Sequence, residues 1–187
     1  MVNRQSRSIV LVGIMGAGKS SVGQCLHRRT GLALHDTDEI VAANFGRSIA
    51  ETFAEHGERT FRDAETEALR RIARSKQTII VTGGGIVLRE DNIEILKRLG
   101  VIVWLDGDAR ILFRRASQKR DRPLLQTKNP RKTFSQILGS RRPLYANIAD
   151  IRVDTSILTH EEVAVAILGK LRRMNRKPEL CSPATVR

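Results

Sequence analysis

This sequence contains few aromatic side chains, few cysteines and no long hydrophobic run. Tryptophan, tyrosine and phenylalanine make up 4% of the 187 residues, with one Trp and one Tyr, so platforms for stacking nucleic-acid bases are not evident. The two cysteines, Cys25 and Cys181, are far apart and show no pairing pattern, which argues against a disulfide framework. No apolar stretch approaches the roughly 18 residues that a membrane-spanning helix needs.

Length and the chain termini suggest one domain. A chain of 187 residues is long enough for one domain with a sizeable core and too short for two comfortable ones. We expect that domain over residues 1–174, followed by a disordered tail over 175–187, because the tail is polar and contains prolines. The segment before residue 8 is short and polar and leaves no room for a signal peptide, so we expect a cytoplasmic protein.

The most informative motif is a glycine-rich loop between a predicted strand and a predicted helix. Residues 13–20 match G-x-x-x-x-G-K-[ST]. Glycines allow consecutive backbone N–H groups to face a phosphate, and the N-terminus of a helix adds partial positive charge. Lys19 would reach the β- and γ-phosphates, and the Ser20 hydroxyl would be a ligand of Mg²⁺. The residues expected to bind a nucleoside triphosphate here are Gly13, Gly16, Ala17, Gly18, Lys19, Ser20 and Ser21.

The formal net charge of +13 is the one strong bias of the composition. A basic face collects phosphates, so nucleic-acid binding is one interpretation. The charge is uneven, however, because residues 110–132 contain nine basic residues and Asp121 as the sole acidic one. A mobile lid over the nucleotide phosphates, at about residues 115–130, explains this segment better than a nucleic-acid groove. A P-loop module that binds nucleic acid stays the alternative from a different functional class.

Short apolar runs alternate with helical patterns along the chain, which predicts a doubly wound α/β fold. The predicted strands are 8–12, 33–36, 78–81, 101–105 and 150–153. Uniformly apolar runs such as 101–105 are typical of central parallel strands that are covered on both faces. Capping-box patterns at 48–51 and 159–162 mark two helix starts. Right-handed crossovers place the glycine-rich loop at the C-terminal edge of the sheet.

Charged residues and glycines follow the second and third strands, at that same edge. Asp36 and Asp38 can take different roles, one binding hydrated Mg²⁺ and the other binding a substrate hydroxyl. An Asp that only caps the next helix is an equally good explanation of this motif. Arg62 and Glu65 lie on a long polar helix, where a surface ion pair is the alternative. The three glycines at 83–85 allow a ligand to approach the backbone closely, or they form a loose turn.

Together these motifs resemble the shikimate kinase family over about residues 8–170. They follow the family's order as residues 13–20, Asp36-Thr-Asp38, Gly46-Arg-Ser-Ile49 with Gly57-Glu58, Phe61-Arg62-x-x-Glu65, Gly83-Gly-Gly85, Arg122-Pro-Leu-Leu125 and Arg141-x-Pro-Leu-Tyr145. The resemblance implies a three-layer P-loop NTPase fold of the nucleoside-monophosphate-kinase type, with a five-stranded parallel sheet and a mobile lid. It also implies ATP- and Mg²⁺-dependent phosphorylation of the shikimate 3-hydroxyl, giving shikimate 3-phosphate and ADP, in chorismate and aromatic amino-acid biosynthesis.

By the same resemblance, the acceptor site has two arginines and one carboxylate. Arg62 and Arg141 would grip the shikimate carboxylate with planar guanidinium groups. Arg142 directly follows Arg141, so the spacing leaves open which of the two takes that role. Asp38 would accept hydrogen bonds from the ring hydroxyls and orient or deprotonate the attacking one. The backbone groups placed against the ring are those of Gly83 and Gly84.

On the nucleotide side, the resemblance places Arg122 in the lid, where it would neutralise the transferring phosphoryl group and exclude water. Arg115 falls where the family stacks an arginine on adenine, and the loop at 154–155 would form the other wall. Asp36 would hold Mg²⁺ through water beside Ser20. The residues with catalytic roles are then Lys19, Asp38 and Arg122.

Another small-molecule kinase of the same fold, such as a gluconate or nucleotide kinase, is the alternative among enzymes. It would share residues 13–20 and the lid arginines but has no reason to carry both Arg62 and Arg141. We expect ATP and shikimate as the partners of a monomer that binds no specific nucleic acid and no membrane. The four histidines show no metal-ligand spacing, so we expect surface or packing roles for His27, His35, His56 and His160.

Overall fold

The computed structural model describes residues 7–73, 77–118 and 123–175. Within them, five strands alternate with seven α-helices. The strands are β1 (Ser8–Val12), β2 (Ala33–Asp36), β3 (Thr78–Val81), β4 (Gly100–Asp106) and β5 (Ile151–Asp154). The helices are α1 (Lys19–Thr30), α2 (Thr37–Phe45), α3 (Ile49–Ile72), α4 (Glu90–Leu99), α5 (Ala109–Ser117), α6 (Pro130–Ile148) and α7 (His160–Asn175).

All five strands are parallel and lie in the order β2-β3-β1-β4-β5. The crossover from β1 to β2 runs in one direction along the sheet, and the crossover from β3 to β4 runs in the other. Because both are right-handed, α1 and α4 cover opposite faces. The predicted α/β fold with a five-stranded parallel sheet is therefore confirmed. β1 lies at the centre, where the direction of the crossovers reverses, and ligands bind outside the carboxyl ends of strands at such a point.

The core explains the uniformly apolar strands. All five residues of β1 are buried, because helices lie on both faces of the strand. Phe134, Leu138 and Tyr145 of α6 join this core, and Tyr145 stacks on Trp104 of β4 with ring centroids 6.1 Å apart. A second, smaller cluster of Val41, Phe61 and Ala68 joins α2 to α3. None of the described helices is long and apolar enough to cross a membrane.

Local sequence signals set the helix ends. Ser48 accepts from the Glu51 amide and the Glu51 side chain accepts from the Ser48 amide, which forms the predicted capping box of α3. The same pair of bonds joins Thr159 and Glu162 at the start of α7. Gly57 interrupts α3 with φ 75°, so the helix consists of two straight parts joined at a kink.

Candidate active site

The glycine-rich loop turns sharply between β1 and α1. Gly13, Gly16 and Gly18 have φ angles of 143°, 83° and 86°, which L-amino acids with side chains rarely adopt. A Cβ on Gly13 would collide with the carbonyl of Leu105, and one on Gly16 would collide with the carbonyl of Leu112. The loop therefore needs glycine both for its backbone conformation and for its close packing against β4 and α5.

Lys19 and Ser20 begin α1, directly after the loop. The Lys19 ammonium donates to the carbonyl oxygens of Gly13, at 2.8 Å, and Ile14, at 3.1 Å, so it lies across the loop. The Ser20 hydroxyl donates to one carboxylate oxygen of Asp36 at 3.1 Å. Sequence position alone placed Ser20 and Asp36 near one another, and the structure brings them into contact.

Asp36 also caps α2, so its two predicted roles, one beside a metal and one as a helix cap, are compatible. Its other carboxylate oxygen accepts from the Asp38 amide at 3.0 Å. The cap fixes one oxygen and leaves the other beside Ser20. A hydroxyl and one carboxylate are hard oxygen donors of the kind that Mg²⁺ prefers, and Mg²⁺ commonly completes its shell with water and phosphate. Among the described residues no group of three or more His, Cys, Asp or Glu could hold a metal.

A cavity of about 370 Å³ opens beside the loop. Of the predicted nucleotide-binding residues, those on its wall are Gly16, Gly18, Lys19, Ser20, Ser21 and Arg115. Gly13 and Ala17 belong to the same loop but are buried behind the wall. Arg122 lies outside the described residues, in the gap between 118 and 123.

Arg115 contacts the loop after β5. Its guanidinium donates to the carbonyl oxygens of Thr155, at 2.9 Å, and Ser156, at 3.4 Å. Thr155 is itself buried and accepts at its hydroxyl from Arg115 at 3.3 Å. The sequence interpretation placed this loop opposite Arg115. In the structure the loop is hydrogen-bonded to Arg115, and of the two only Arg115 lies on the cavity wall.

His160 also lies on the wall of this cavity, a position that sequence reasoning missed. Two of its ring atoms lie 3.2 Å from the point that a Cβ on Gly18 would occupy. The available signal was its position within the capping box at 159–162 that follows β5, since β5 ends at the same sheet edge as β1. The lack of metal-ligand spacing around this histidine bears only on a metal site and gives no information about nucleotide contact.

A second cavity, of about 80 Å³, adjoins the first. Its polar wall carries the predicted acceptor residues together with one further carboxylate and one further glycine: Asp38, Arg62, Glu65, Gly83, Gly84, Gly85 and Arg141. Its apolar wall consists of Met15, Ile49, Phe53, Phe61, Pro123 and Leu124. The two cavities share Met15, Asp38 and Gly84, so Asp38 lies where they meet.

The two cavity arginines are both 7% exposed and come from different helices. On α3, Arg62 donates to Glu65 at 2.5 Å and to Glu58 at 3.0 Å. Its guanidinium carbon also lies 5.3 Å from the centre of the Phe61 ring. On α6, Arg141 donates to the Gly84 carbonyl at 3.0 Å.

Arg142, the alternative to Arg141, serves another part of the protein. Its guanidinium donates to Asp106 at 3.2 Å and to the Gly107 carbonyl at 2.6 Å. Arg152 of β5 occupies the second Asp106 oxygen at 2.7 Å. The structure therefore places Arg141, and not Arg142, on the wall of the acceptor cavity.

The triple glycine serves as a tightly packed spacer between the charged side chains. A Cβ on Gly83 would lie 2.5 Å from a carboxylate oxygen of Asp38 and equally close to one of Glu65. The Gly83 amide, which we expected to face the substrate, instead donates to the Thr37 hydroxyl at 3.0 Å. The Gly84 carbonyl accepts from both Arg141 and the Tyr145 hydroxyl. Gly83 and Gly84 line the cavity as predicted, but these two backbone groups hold the site together.

Glu65 is a buried acid of this site with a strongly raised pKa. Its side chain is 0% exposed, so the ion pair with Arg62 is buried and is not the surface pair of the alternative interpretation. Burial raises the pKa of Glu65 to about 7, and the charge of Asp38 adds to this, while Arg62 and Arg141 oppose it. Burial likewise raises the pKa of Tyr145 to about 12.

Comparisons with known proteins agree with this geometry. The family model described as shikimate kinase matches residues 15–172. The shikimate kinase of Thermodesulfovibrio yellowstonii is 41% identical over 169 residues, which cover 90% of this chain and 97% of that protein. The shikimate kinase of Symbiobacterium thermophilum is 40% identical over 172 residues, which cover 91% of this chain and 99% of that protein.

Solved structures show the same relationship. The shikimate kinase of Acinetobacter baumannii in complex with shikimate superposes with a TM-score of 0.89 at 32% identity, over 93% of this chain and 97% of that one. A gluconokinase from Sinorhizobium meliloti superposes with a TM-score of 0.59 at 19% identity, over 92% of this chain and 95% of that one. The gluconokinase therefore shares the fold alone.

Proposed function

The chain belongs to the shikimate kinase family, and we propose that it transfers the γ-phosphoryl group of ATP to the 3-hydroxyl of shikimate. The products are shikimate 3-phosphate and ADP, within chorismate and aromatic amino-acid biosynthesis. The observation that carries the proposal is the junction of the two cavities at Asp38. A phosphate cradle on one side and a cationic pocket on the other bring donor and acceptor together at a carboxylate.

ATP would occupy the larger cavity with its phosphates on residues 13–20. Lys19 leaves its two loop carbonyls to meet the β- and γ-phosphates, where its charge stabilises the transition state. Gly13 and Ala17 would shape the loop from behind, and Arg115 would lie against the base. Arg122 retains its proposed role at the transferring phosphoryl group.

Ser20 directly, and Asp36 through water, would hold Mg²⁺ on this side of the cavity, where the metal would supply positive charge to the phosphates of ATP. The Ser20–Asp36 hydrogen bond of 3.1 Å keeps both oxygens on one side of the cavity. The α2 cap holds Asp36 in that orientation. These residues orient the donor, and the reaction itself takes place beside Asp38.

Shikimate would occupy the smaller cavity with its carboxylate between Arg62 and Arg141. Both guanidiniums are buried, so a carboxylate gains more from them than from arginines in water. Asp38 would accept a hydrogen bond from the attacking hydroxyl and take its proton as the new O–P bond forms. Phe61 and Leu124 offer apolar contacts to the faces of the ring.

We further propose that residues 1–174 act as a single kinase domain with a lid at about 115–130. Pro123 and Leu124, which belong to the described part of that segment, contribute to the wall of the acceptor cavity. On this account the protein works as a monomer in the cytoplasm, and its basic segment serves ATP rather than a nucleic acid.

A coupled ADP-release assay across shikimate, gluconate and nucleoside monophosphates tests the proposal, with Mg²⁺ present and with Mg²⁺ removed by a chelator. Of the three kinds of acceptor, we expect only shikimate to support ADP release, and we expect this release to require Mg²⁺. The Lys19→Ala variant should lose at least tenfold of this rate, which corresponds to about 1.4 kcal/mol. Release with gluconate or a nucleotide but not with shikimate would assign the chain to another kinase of the same fold. ADP release at the same rate with and without an acceptor would contradict kinase function.

A further inference from the structure

Glu65 carries a buried oxygen with no hydrogen-bond partner among the described residues. One of its carboxylate oxygens receives the Arg62 guanidinium, while the other, Oε1, has no such partner. Oε1 and a carboxylate oxygen of Asp38 each lie 2.5 Å from the point that a Cβ on Gly83 would occupy, so they are at most 5.0 Å apart. An unsatisfied buried carboxylate oxygen is costly, which makes it a site where a proton can bind.

The charges that face Glu65 come from three helices. On α3 itself these are Arg62 and, beyond it, Glu58, whose side chain is 60% exposed. Asp38 faces it from α2, and Arg141 and Tyr145 face it from α6. Within the cavity two carboxylates meet two guanidiniums, so the charges balance while the cavity holds no anion.

An acceptor that carries a carboxylate upsets this balance. It adds a third negative charge between two guanidiniums whose residues are each 7% exposed. It also competes with Glu65 for the Arg62 guanidinium, whose Nη1 donates to Glu65 while its Nε and Nη2 donate to Glu58. Glu65 is the carboxylate with no exposure, no second partner and a like charge beside it. Binding of the substrate carboxylate therefore destabilises the ionised form of Glu65 more than that of the other groups in the cavity.

We propose that Glu65 takes up one proton when the carboxylate of the acceptor substrate binds between Arg62 and Arg141. The inference rests on the proposed function, since it takes shikimate as the anion. The proton comes from the acid form of the buffer and forms an O–H bond on Glu65; no bond of the substrate breaks in this step. Neutral Glu65 releases Arg62 to the substrate while Asp38 stays available to the attacking hydroxyl. Glu65 is thus a positioning residue whose protonation state sets the affinity for the acceptor.

Calorimetry measures this proton directly. Shikimate is titrated into the nucleotide-free protein in buffers of different ionisation enthalpy, and the slope of the observed enthalpy gives the number of protons taken up. Because the pKa of Glu65 in the free site is about 7, we expect about 0.5 to 1 proton per shikimate at pH 8 and less than about 0.2 at pH 6. The comparison of pH 6 with pH 8 uses the unmodified protein alone and needs no variant to fold.

Two variants identify the residue that binds the proton. Glu65→Gln mimics the neutral acid and keeps an oxygen for Arg62, so proton uptake should disappear while shikimate still binds. Glu58→Gln is the matched control, because Glu58 pairs with the same arginine but is exposed, and uptake should persist. The KM for shikimate should also rise at least about tenfold between pH 7 and pH 9, and this rise should be absent in Glu65→Gln.

The outcomes separate this inference from the proposed function. Heat of binding with no dependence on the buffer at pH 8 would overturn proton uptake and leave the kinase assignment intact. Uptake that persists in Glu65→Gln would overturn the assignment to Glu65. Absence of any binding heat, together with absence of shikimate-dependent ADP release, would overturn the proposed function and this inference with it.

Discussion

Arg141 and Arg142 are consecutive on α6, yet their guanidinium groups serve different sites. Arg141 donates to the Gly84 carbonyl on the wall of the acceptor cavity, whereas Arg142 donates to Asp106 and to the Gly107 carbonyl at the end of β4. Successive residues of a helix point about 100° apart, so these adjacent side chains reach different places. One lines the acceptor cavity and the other stabilises the end of β4. The pair provides two variants that differ in site but not in chemistry.

Arg141→Lys should raise the KM for shikimate roughly tenfold or more, because it removes charge-assisted hydrogen bonds of about 1.5–3 kcal/mol. The KM for ATP should change little. Arg142→Lys is the control and should leave the KM for shikimate unchanged, although loss of its contacts to Asp106 should lower the melting temperature. Steady-state kinetics with each substrate varied in turn measures both. The opposite pattern would move the carboxylate grip to Arg142.

Asp38→Asn should lower kcat by about 10² or more, because the amide keeps the shape of the carboxylate but cannot take the proton of the attacking hydroxyl. The KM values should change much less than kcat. Asp36→Asn offers the comparison at the neighbouring carboxylate. This variant should need a higher Mg²⁺ concentration for activity, and added Mg²⁺ should restore part of the lost activity. If Asp38→Asn kept more than a tenth of the wild-type kcat, Asp38 would not be the base.

Gly83→Ala should impair shikimate use while the protein remains folded. The added methyl would lie 2.5 Å from oxygens of both Asp38 and Glu65, so both side chains must move. Gly139→Ala is the matched control, since its methyl on α6 meets nothing within 4 Å. That control should keep full activity and gain about 0.5–1 kcal/mol of stability, as alanine does in a helix. Equal activity of the two variants would show that the Gly83 spacing is unimportant.

Glu65 should make the stability of the unliganded protein depend on pH. Its folded-state pKa of about 7 lies above the usual value of 4.5, so its contribution to stability is fully present below about pH 4.5 and is lost as pH rises through about 7. Relative to Glu65→Gln, the wild type should therefore lose up to about 3 kcal/mol of unfolding free energy between pH 4.5 and pH 8. Urea denaturation of both proteins across this range measures the difference. Parallel curves would show that Glu65 titrates as an ordinary exposed acid.

Local sequence determines much of this fold. β1, β2 and β3 have the predicted bounds, because a glycine follows β1, Asp36 ends β2, and Thr82 with three glycines follows β3. β4 starts one residue earlier than predicted, at Gly100, whose lack of a side chain allows close approach to the Ser8 carbonyl. The phosphate loop and Asp38 also meet as predicted, since parallel strands bring their carboxyl ends to one edge.

Other features of the site depend on tertiary packing, which short sequence motifs do not predict. The hydrogen bond from the Gly83 amide to the Thr37 hydroxyl joins the loop after β3 to the start of α2, which is distant in sequence. The position of His160 beside Gly18 depends on how α7 packs against α1. The burial of Glu65 also cannot be predicted from a short pattern, because its helix appears polar in sequence and is buried on one side only where α2 packs against it.

The position of the transferred phosphate tests the central claim most directly. Phosphorus and proton NMR of the products of shikimate, ATP and Mg²⁺ shows which ring carbon carries the phosphate. The account predicts one phosphomonoester, on the oxygen at C3, formed in equal amount to ADP and absent with Lys19→Ala. A phosphate on another hydroxyl, or inorganic phosphate as the sole phosphorus product besides ADP, would contradict the assignment of Asp38 and the acceptor cavity.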